Sequence, residues 1–498
     1  MAIPSTPTST ADPGIAPPSA RVDVARWVAP LFGLLGVVVF GLWYWNPGYR
    51  YDEYLVAVSR TGLPWDELWK IITTTDPGPG PLYILMKPWS AVSSDPLWTR
   101  IPSVLAMAVA VAALVALVKR AINPRTAVFA GLLMLALPAN SRWAQDNRMY
   151  ALAAMCTVLA VALWFSSLQR HSRWWSVGYG AAVVGMGLFH LYTLTVIPVL
   201  FLAAFWVAGP RKLTMIKTLV PPAIAVVVLA PHIYLNLKHP TGSPTNPPLS
   251  LHSVSAIAFG NFGGRLVTVL LAVLAVGGAI WAWRTPKFRA IVILGLGWAV
   301  FPMLIFMIAR GVGGVPTLVA RYYLFAIPGT ALLAALGLAA LWDWWKPAAV
   351  IVIVIVVALL IPQQFKVRAA GSHSVSTHRM GELLTQPELA GLPIVALNPQ
   401  FAAKVNASTY PEKVLSPTAA PAQPVAVVVG GNPMIAAADV VYLAPGSAWV
   451  PVVRCTLGST GTVEVVATAQ TKVPTGSPST LARQLNSAVP GSHCVGIQ

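Results

Sequence analysis

Acidic side chains are scarce in this chain: 15 in 498 residues, against 33 Lys and Arg. Charges of both signs together make up 10% of the sequence, whereas a soluble domain carries about 25%. A soluble globular fold is thereby excluded. The formal net charge of +18 raises the question of nucleic acid or an anionic membrane as partner. No basic cluster is interleaved with RNA-binding aromatics, so nucleic acid is set aside and the cations are read as topology signals. There is no phosphate-cradling Gly-Lys-Ser/Thr loop, no His-Glu-x-x-His and no Cys pair at metal-ligand spacing. No resident metal is therefore expected, and no cofactor. The external acids have the oxygen chemistry of a divalent-cation site, but the reading does not require one.

Apolar residues are what the chain has in abundance, at 56%. Several runs reach the roughly 18 residues that suggest a spanning helix. Spans are expected near 27–45, 101–118, 124–139, 149–168, 174–190, 192–209, 219–235, 266–283, 290–309, 322–342 and 347–362, about eleven in all. Residues 1–26 are rich in Pro, Ser, Thr and Ala, a composition that cannot bury a core and reads as a disordered cytoplasmic tail. The first span follows Arg21 and Arg26 and reads as an uncleaved anchor. The stretch 81–89 is too short to span and is expected at the interface. Cys156 lies inside a span and reads as a small core residue.

Orientation follows from the short loops. One alternate set holds Lys119, Arg120, Arg125, Arg170, Arg173, Arg211, Lys212, Lys217, Arg284, Lys287, Arg289 and Lys346 and reads as cytoplasmic. The opposite face collects Asp52, Glu53, Asp66, Glu67, Asp76, Asp95 and Asp146, and keeps several cations against the rule. A mixed-charge site on the external face accounts for both. The second acidic pair, in "PWDELW" (64–69), is read as an interfacial helix that walls this site.

From residue 363 the composition shifts to Pro, Gly, Ser and Thr with short β-prone runs, "PIVAL", "PVAVVV", "DVVYLA" and "VEVVATA". These predict a small α/β or mostly β domain over 363–498, following a membrane domain over 27–362. An odd number of spans puts that domain outside, where disulfides persist. Cys455 and Cys494 both lie in it and are expected to pair.

The external loop motifs, in order, resemble those of the GT-C glycosyltransferases, in particular the protein O-mannosyltransferase group and its polyprenyl-phosphate-sugar-dependent bacterial relatives. "YDEYLV" (51–56) resembles the family's Asp-Glu motif. "DPGPGPLYILMKPW" (76–89) resembles its D-x-H-P-P-L-Y-Y-x-x-x-x-x-W segment, with Gly80 where His is common. "TRIPSVLA" (99–106) resembles R-x-P-S, and "AQDNRMYALA" (144–153) resembles A-Q-E-x-R-x-Y-A-L. "FHLYTL" (189–194) and "ARYYLFAIPG" (320–329) are looser matches. The resemblance covers roughly residues 27–340. It implies a polytopic α-helical GT-C fold in the cytoplasmic membrane, acting on its outer face. The implied reaction is inverting, metal-independent transfer of a sugar, mannose favoured, from a polyprenyl phosphate to an acceptor hydroxyl of a glycan, glycolipid or protein.

That chemistry needs a base for a weak hydroxyl nucleophile and cations for the departing phosphate. Asp52 is expected as the base, as the Asp of this pair is in the resembling families, with Glu53 orienting the acceptor or holding the loop. Lys87, Arg100, Arg148 and Arg321 are candidate donor-phosphate ligands. Tyr83, Asp146, His190 and Tyr322 are candidate substrate contacts. Each has a plainer reading: a solvated loop edge for the acids, a helix-start pair for Asp146 and Arg148, snorkelling for Lys87, and an interfacial anchor for Arg321 and Tyr322. Arg100 reads equally as an electrostatic cap, and His190 as a packing residue. A polyprenyl-phosphate-arabinofuranose donor is the enzymatic alternative. A lipid-linked-sugar transporter is disfavoured because transporters place ionisable groups in mid-span, and here they cluster in loops.

Overall fold

The computed structural model describes residues 24–44, 47, 50–170, 172–208, 211–240, 247–315 and 317–369. Beyond them it describes 372, 375–389, 392, 394–396, 425–430, 449–457, 462–468, 477–489 and 492–497. The expected tail, except residues 24–26, and the run "DVVYLA" lie outside the described residues.

Helices dominate. Each expected span falls on one: α1 (Val28–Gly41), α6 (Ile101–Ala121), α7 (Pro124–Ala136), α9 (Met149–Gln169), α10 (Trp174–Phe189), α11 (Ile197–Ala208), α12 (Lys212–Lys238), α14 (Arg265–Trp283), α15 (Arg289–Gly313), α16 (Ile327–Trp344) and α17 (Lys346–Arg368). Among the described residues, seven helices are long and apolar enough to cross a membrane, and four more are apolar but shorter. The chain is a multi-pass membrane protein. Its outward faces are apolar: Val227 on α12, Val273 on α14 and Val354 on α17 are all exposed, as lipid contact requires and water would penalise.

The inner helices pack through small residues, as bilayer-embedded helices do. Gly278 of α14 and Gly337 of α16 let two backbones meet. A Cβ on Gly337 would collide with the carbonyl oxygen of Leu274, and one on Gly278 with the backbone of Gly337. Helix starts follow local chemistry. Asn123 accepts from the Thr126 amide ahead of Pro124, and Ser250 caps α13 (Leu251–Phe262) through the Ser253 amide.

Between α1 and α6 lie short helices: α2 (Tyr51–Tyr54), a π-helical turn (Leu55–Arg60), α3 (Trp65–Thr74), α4 (Gly80–Ser90) and α5 (Pro96–Thr99). A further short helix, α8 (Pro138–Ala144), precedes α9, and 3-10 turns cover Leu191–Val196 and Ala320–Ala326. The last span differs from expectation. It continues past residue 362 to Arg368 because Gln364 donates to the Ala136 carbonyl and Arg368 to the Val39 and Leu42 carbonyls. Polar residues that look like a domain linker in sequence are helix-anchoring groups in space.

The C-terminal region forms an α/β layer with its own apolar core, separate from that of the membrane helices. A five-stranded sheet runs β1-β2-β4-β3-β5, with β1 (Ile394–Ala396), β2 (Val425–Gly430), β3 (Trp449–Thr456), β4 (Thr462–Thr468) and β5 (His493–Gly496). β1 and β2 are parallel, and the other pairs antiparallel. Helix α18 (Val375–Leu384) precedes the sheet, and α19 (Pro478–Ala488) buries Leu481 and Leu485 against it. Cys455 on β3 lies directly opposite Cys494 on β5, and the two are disulfide-bonded. Closing a loop of 39 residues is worth about 3–4 kcal/mol by chain entropy. Intact-mass measurement under alkylation should therefore show a mass increase on reduction and a lower unfolding midpoint. Two freely alkylated thiols in the oxidised protein would contradict it.

Candidate active site

The short helices and turns between the long ones converge on one polar cluster. Its hub is Glu53, which is fully buried. Its carboxylate accepts from Arg100 Nε at 2.9 Å and Nη2 at 3.0 Å, a bidentate pair. It also accepts from the backbone amides of Arg50 and Asn147, each at 3.0 Å. Arg100, equally buried, sends Nη1 to the carbonyls of Tyr44 and Pro47. This one ion pair therefore joins the loop entering α2, the start of α6 and the 145–148 loop. A buried charge persists only when paired and fully hydrogen-bonded, and both halves are. Glu53 thus ties these segments together.

Two of the four expected phosphate ligands are occupied elsewhere. Arg100 is committed to Glu53 and two carbonyls. Lys87 donates to the carbonyls of Thr61 and Leu63 and lies 5.0 Å from the Trp65 ring centroid. It ties α4 to the turn before α3 rather than snorkelling. A reciprocal clasp closes the next segment: Trp89 and Trp98 stack at 4.5 Å, and each indole donates to the other's carbonyl. Sequence order conceals such partners because they are set by tertiary folding.

Asp52, the adjacent residue, points differently. Its side chain is 34% exposed and is bound by Arg50 Nη2 at 2.8 Å. Partial burial alone would raise its pKa, but Arg148, Arg50 and Arg321 outweigh that and hold the carboxyl below its ordinary value. Arg148 also donates to the Asp52 carbonyl at 3.3 Å. Asp146 is the opposite case. It is fully buried, with Arg142 at 3.1 Å and Arg50 at 3.7 Å. Burial, with the charge of Glu53 adding, raises its carboxyl above the ordinary range despite Arg50, Arg142 and Arg148. The environments of the two aspartates thus push their titrations apart, a pattern that separates acid and base roles.

An aromatic wall faces this cluster. His190, at the end of α10, lies 5.1 Å from the rings of both Tyr192 and Tyr322 and 5.6 Å from Tyr150. Arg321 and Arg148 lie near enough to act on the His190 imidazole. Arg321 sits 5.3 Å from the Tyr322 ring centroid. Tyr83 is buried and donates to Asp76 at 2.5 Å. Its hydroxyl is thus engaged by Asp76.

Gly80 stands where the resembling family commonly has His. A Cβ there would lie 2.7 Å from Ile72 Cγ2 on α3, so packing of α3 on α4 leaves no room for a side chain. Sequence reasoning did not single out Arg50, Arg142 or Arg60, although Arg50 stands two residues before Asp52.

Several buried polar atoms here have no protein partner: Asp146 Oδ1, Asn147 Nδ2, Arg148 Nε, Arg60 Nε and His190 Nε2. Orphaned buried polar atoms are rare and call for a reason. A cluster of mixed donors and acceptors suits a polyhydroxylated ligand or ordered water. A cavity of about 590 Å³ opens between α13 and the segment leading to Arg321, with His252, Ser253, Ile257, Leu318 and Ala320 in its lining. No group of three or more His, Cys, Asp and Glu placed to hold a metal ion occurs among the described residues.

Residues 79–235 match the family model described as dolichyl-phosphate-mannose-protein mannosyltransferase. Among solved structures, ArnT from Cupriavidus metallidurans in the apo state aligns at TM-score 0.61 with 14% identity, over 89% of this chain and 98% of that one. The same protein bound to undecaprenyl phosphate aligns at 0.55 with the same identity and coverage. The apo oligosaccharyltransferase of Archaeoglobus fulgidus aligns at 0.49 with 12% identity, over 91% and 75% of the two chains. No curated protein sequence matches. The chain has the GT-C fold.

Proposed function

We propose that the protein is an inverting glycosyltransferase that moves a sugar, mannose favoured, from a polyprenyl-phosphate donor to an acceptor hydroxyl at the outer face of the cytoplasmic membrane. The observation that carries this reading is the external cluster itself. A half-exposed, ionised Asp52 stands beside cations and unsatisfied polar atoms at the ends of membrane helices. The family matched over residues 79–235 is described by a dolichyl-phosphate-mannose donor, and ArnT has been solved with undecaprenyl phosphate. Both support a lipid-linked donor here.

In the proposed step the acceptor O–H gives its proton to Asp52 as its oxygen attacks the sugar C1. The C1–O bond to phosphate breaks, and its electron pair leaves with the lipid phosphate. Arg148 and Arg321 meet the developing dianion, the largest stabilisation such a transfer needs. His190 Nε2 and Asp146 Oδ1 are the proposed contacts for sugar hydroxyls, and Tyr322 and Tyr150 the wall behind them. The cavity beside Arg321 suits an apolar stretch of ligand. No metal is required, because arginines supply the positive charge.

The test is transfer of radiolabel from defined polyprenyl-phosphate sugars in membranes containing the protein. Label reaching an acceptor from the mannosyl donor is the expected result, and no transfer from any donor would overturn the reading. Arg148→Ala and Arg321→Ala should each weaken donor use by about 1.5–3 kcal/mol, the size of a hydrogen bond to a charged group. Unchanged donor dependence in both variants would remove them from the phosphate site. The Lys and Arg asymmetry of the loops supports a cytoplasmic N-terminus and an extracytoplasmic C-terminal domain. Reporter fusions at Lys346 and Arg379 should then read cytoplasm and exterior respectively, and identical readings would refute that orientation.

A further inference from the structure

The end of the last membrane helix reaches back to the catalytic loop. A helix C-terminus leaves its final carbonyls without intrahelical donors, and those of α1 are met from two distant places. Arg368 donates through Nη2 to the Val39 carbonyl at 2.7 Å and through Nε to the Leu42 carbonyl at 3.0 Å. Gln145 donates to the Phe40 and Leu42 carbonyls at 2.8 and 2.9 Å. A cation at this end also complements the helix dipole. Arg368 is 4% exposed, and its Nη2 further reaches Ser141 on α8 at 3.2 Å.

The turn so gripped is strained. Trp43 has φ +53°, the only positive φ outside glycine among the described residues, and a bulky side chain makes that conformation costly. Phe365, one helical turn before Arg368, holds the Trp43 ring at 5.5 Å. The strained turn leads directly to Tyr44 and Pro47, whose carbonyls Arg100 reads, and then to Asp52. Gln145, which shares the Leu42 carbonyl with Arg368, is followed by Asp146 and by Asn147, whose amide binds Glu53. A strained backbone and a desolvated arginine are both expensive, and both converge on the strand of chain that presents the base.

We propose that Arg368 is a positioning residue for the transfer reaction. By capping α1 it fixes the turn at residues 42–44 and, through Gln145, sets the spacing between the Asp52 and Asp146 loops. The catalytic part of the inference rests on the glycosyltransferase reading, but the positional part does not.

The experiment is hydrogen–deuterium exchange on the full-length protein in detergent, with turnover and donor KM measured on the same preparations. Arg368→Ala should raise exchange at least fivefold in peptides spanning 40–54 and 143–150, and lower kcat at least tenfold with donor KM within about twofold. Arg368→Lys, which keeps charge but loses the planar fork, should fall between. Val356→Ala, a buried cavity variant on the same helix, should lower the thermal midpoint without either change. Exchange at 40–54 unchanged in Arg368→Ala overturns the proposal, even if no donor is found for the wild-type protein. So does raised exchange with wild-type kcat, or Val356→Ala reproducing the whole pattern.

Discussion

Asp52→Asn should lower turnover by roughly 10²–10⁴-fold, the contribution of a positioned general base, while donor binding persists. The substitution keeps the side-chain shape and the Arg50 contact at an amide oxygen. What it removes is the proton acceptor. The exposure of Asp52 makes this a clean change, since its charge is met by solvent as well as by Arg50 and Arg148. The unfolding midpoint should therefore move little. The pH dependence has a defined sign. A carboxyl held below the ordinary value of 3.8, as that of Asp52 is, is ionised throughout neutral and mildly acidic conditions. Turnover loss attributable to Asp52 should begin only as pH falls through its depressed pKa. Single-turnover transfer from a labelled donor measures the chemical step, and a near-wild-type rate in Asp52→Asn would remove it as the base.

How far the chain could be read without its structure depends on how local each signal is. Apolar runs are local, so all the expected spans fall on helices. Where charge interrupts a run, the boundary moved: α12 begins at Lys212 rather than near 219 because Lys217 caps the Ser167 and Arg170 carbonyls at the end of α9. α17 outran its expected end for the same reason. The ordered motifs carried the family resemblance, but not how side chains pair within the loops. Glu53 meets Arg100 across 47 positions and Asn147 across 94, separations with no periodicity to betray them. Lys87 and Arg100 carry the charge a phosphate site needs, and charge alone cannot tell a free cation from one spent on carbonyls. Gly80 is instructive in the same way: its departure from the resembling motif became intelligible only once Ile72 was found against it. The strained turn at Trp43 left no trace in composition at all.

The largest effect on stability is expected at Glu53, beside an aspartate whose substitution should hardly disturb the fold. Glu53→Gln removes the charge that compensates a fully buried Arg100. Breaking a buried pair from one side costs about 3–5 kcal/mol, a large share of the 5–15 kcal/mol typical of folded domains. Arg100→Leu should cost a similar amount, leaving the Tyr44 and Pro47 carbonyls without donors as well as Glu53 without its partner. The informative double variant is Glu53→Leu with Arg100→Leu, which makes both partners apolar and removes the acceptor oxygens of Glu53. In a simple buried pair, replacing both partners by apolar groups often recovers stability. Here it should not, because Glu53 also satisfies the amides of Arg50 and Asn147, and those remain buried without an acceptor. The double variant should be less destabilised than the sum of the singles, since neighbours couple, yet remain well below wild type. Thermal midpoints of detergent-purified protein, with membrane yield alongside, measure all three. A wild-type midpoint in Glu53→Gln would mean that the hydrogen-bonded hub contributes little, and full recovery in the double variant would reduce it to an ordinary ion pair. The expected contrast, a fold-dependent Glu53 next to a turnover-dependent Asp52, follows from one turn of helix that directs neighbouring carboxylates about 100° apart, one into the protein and one toward the open site.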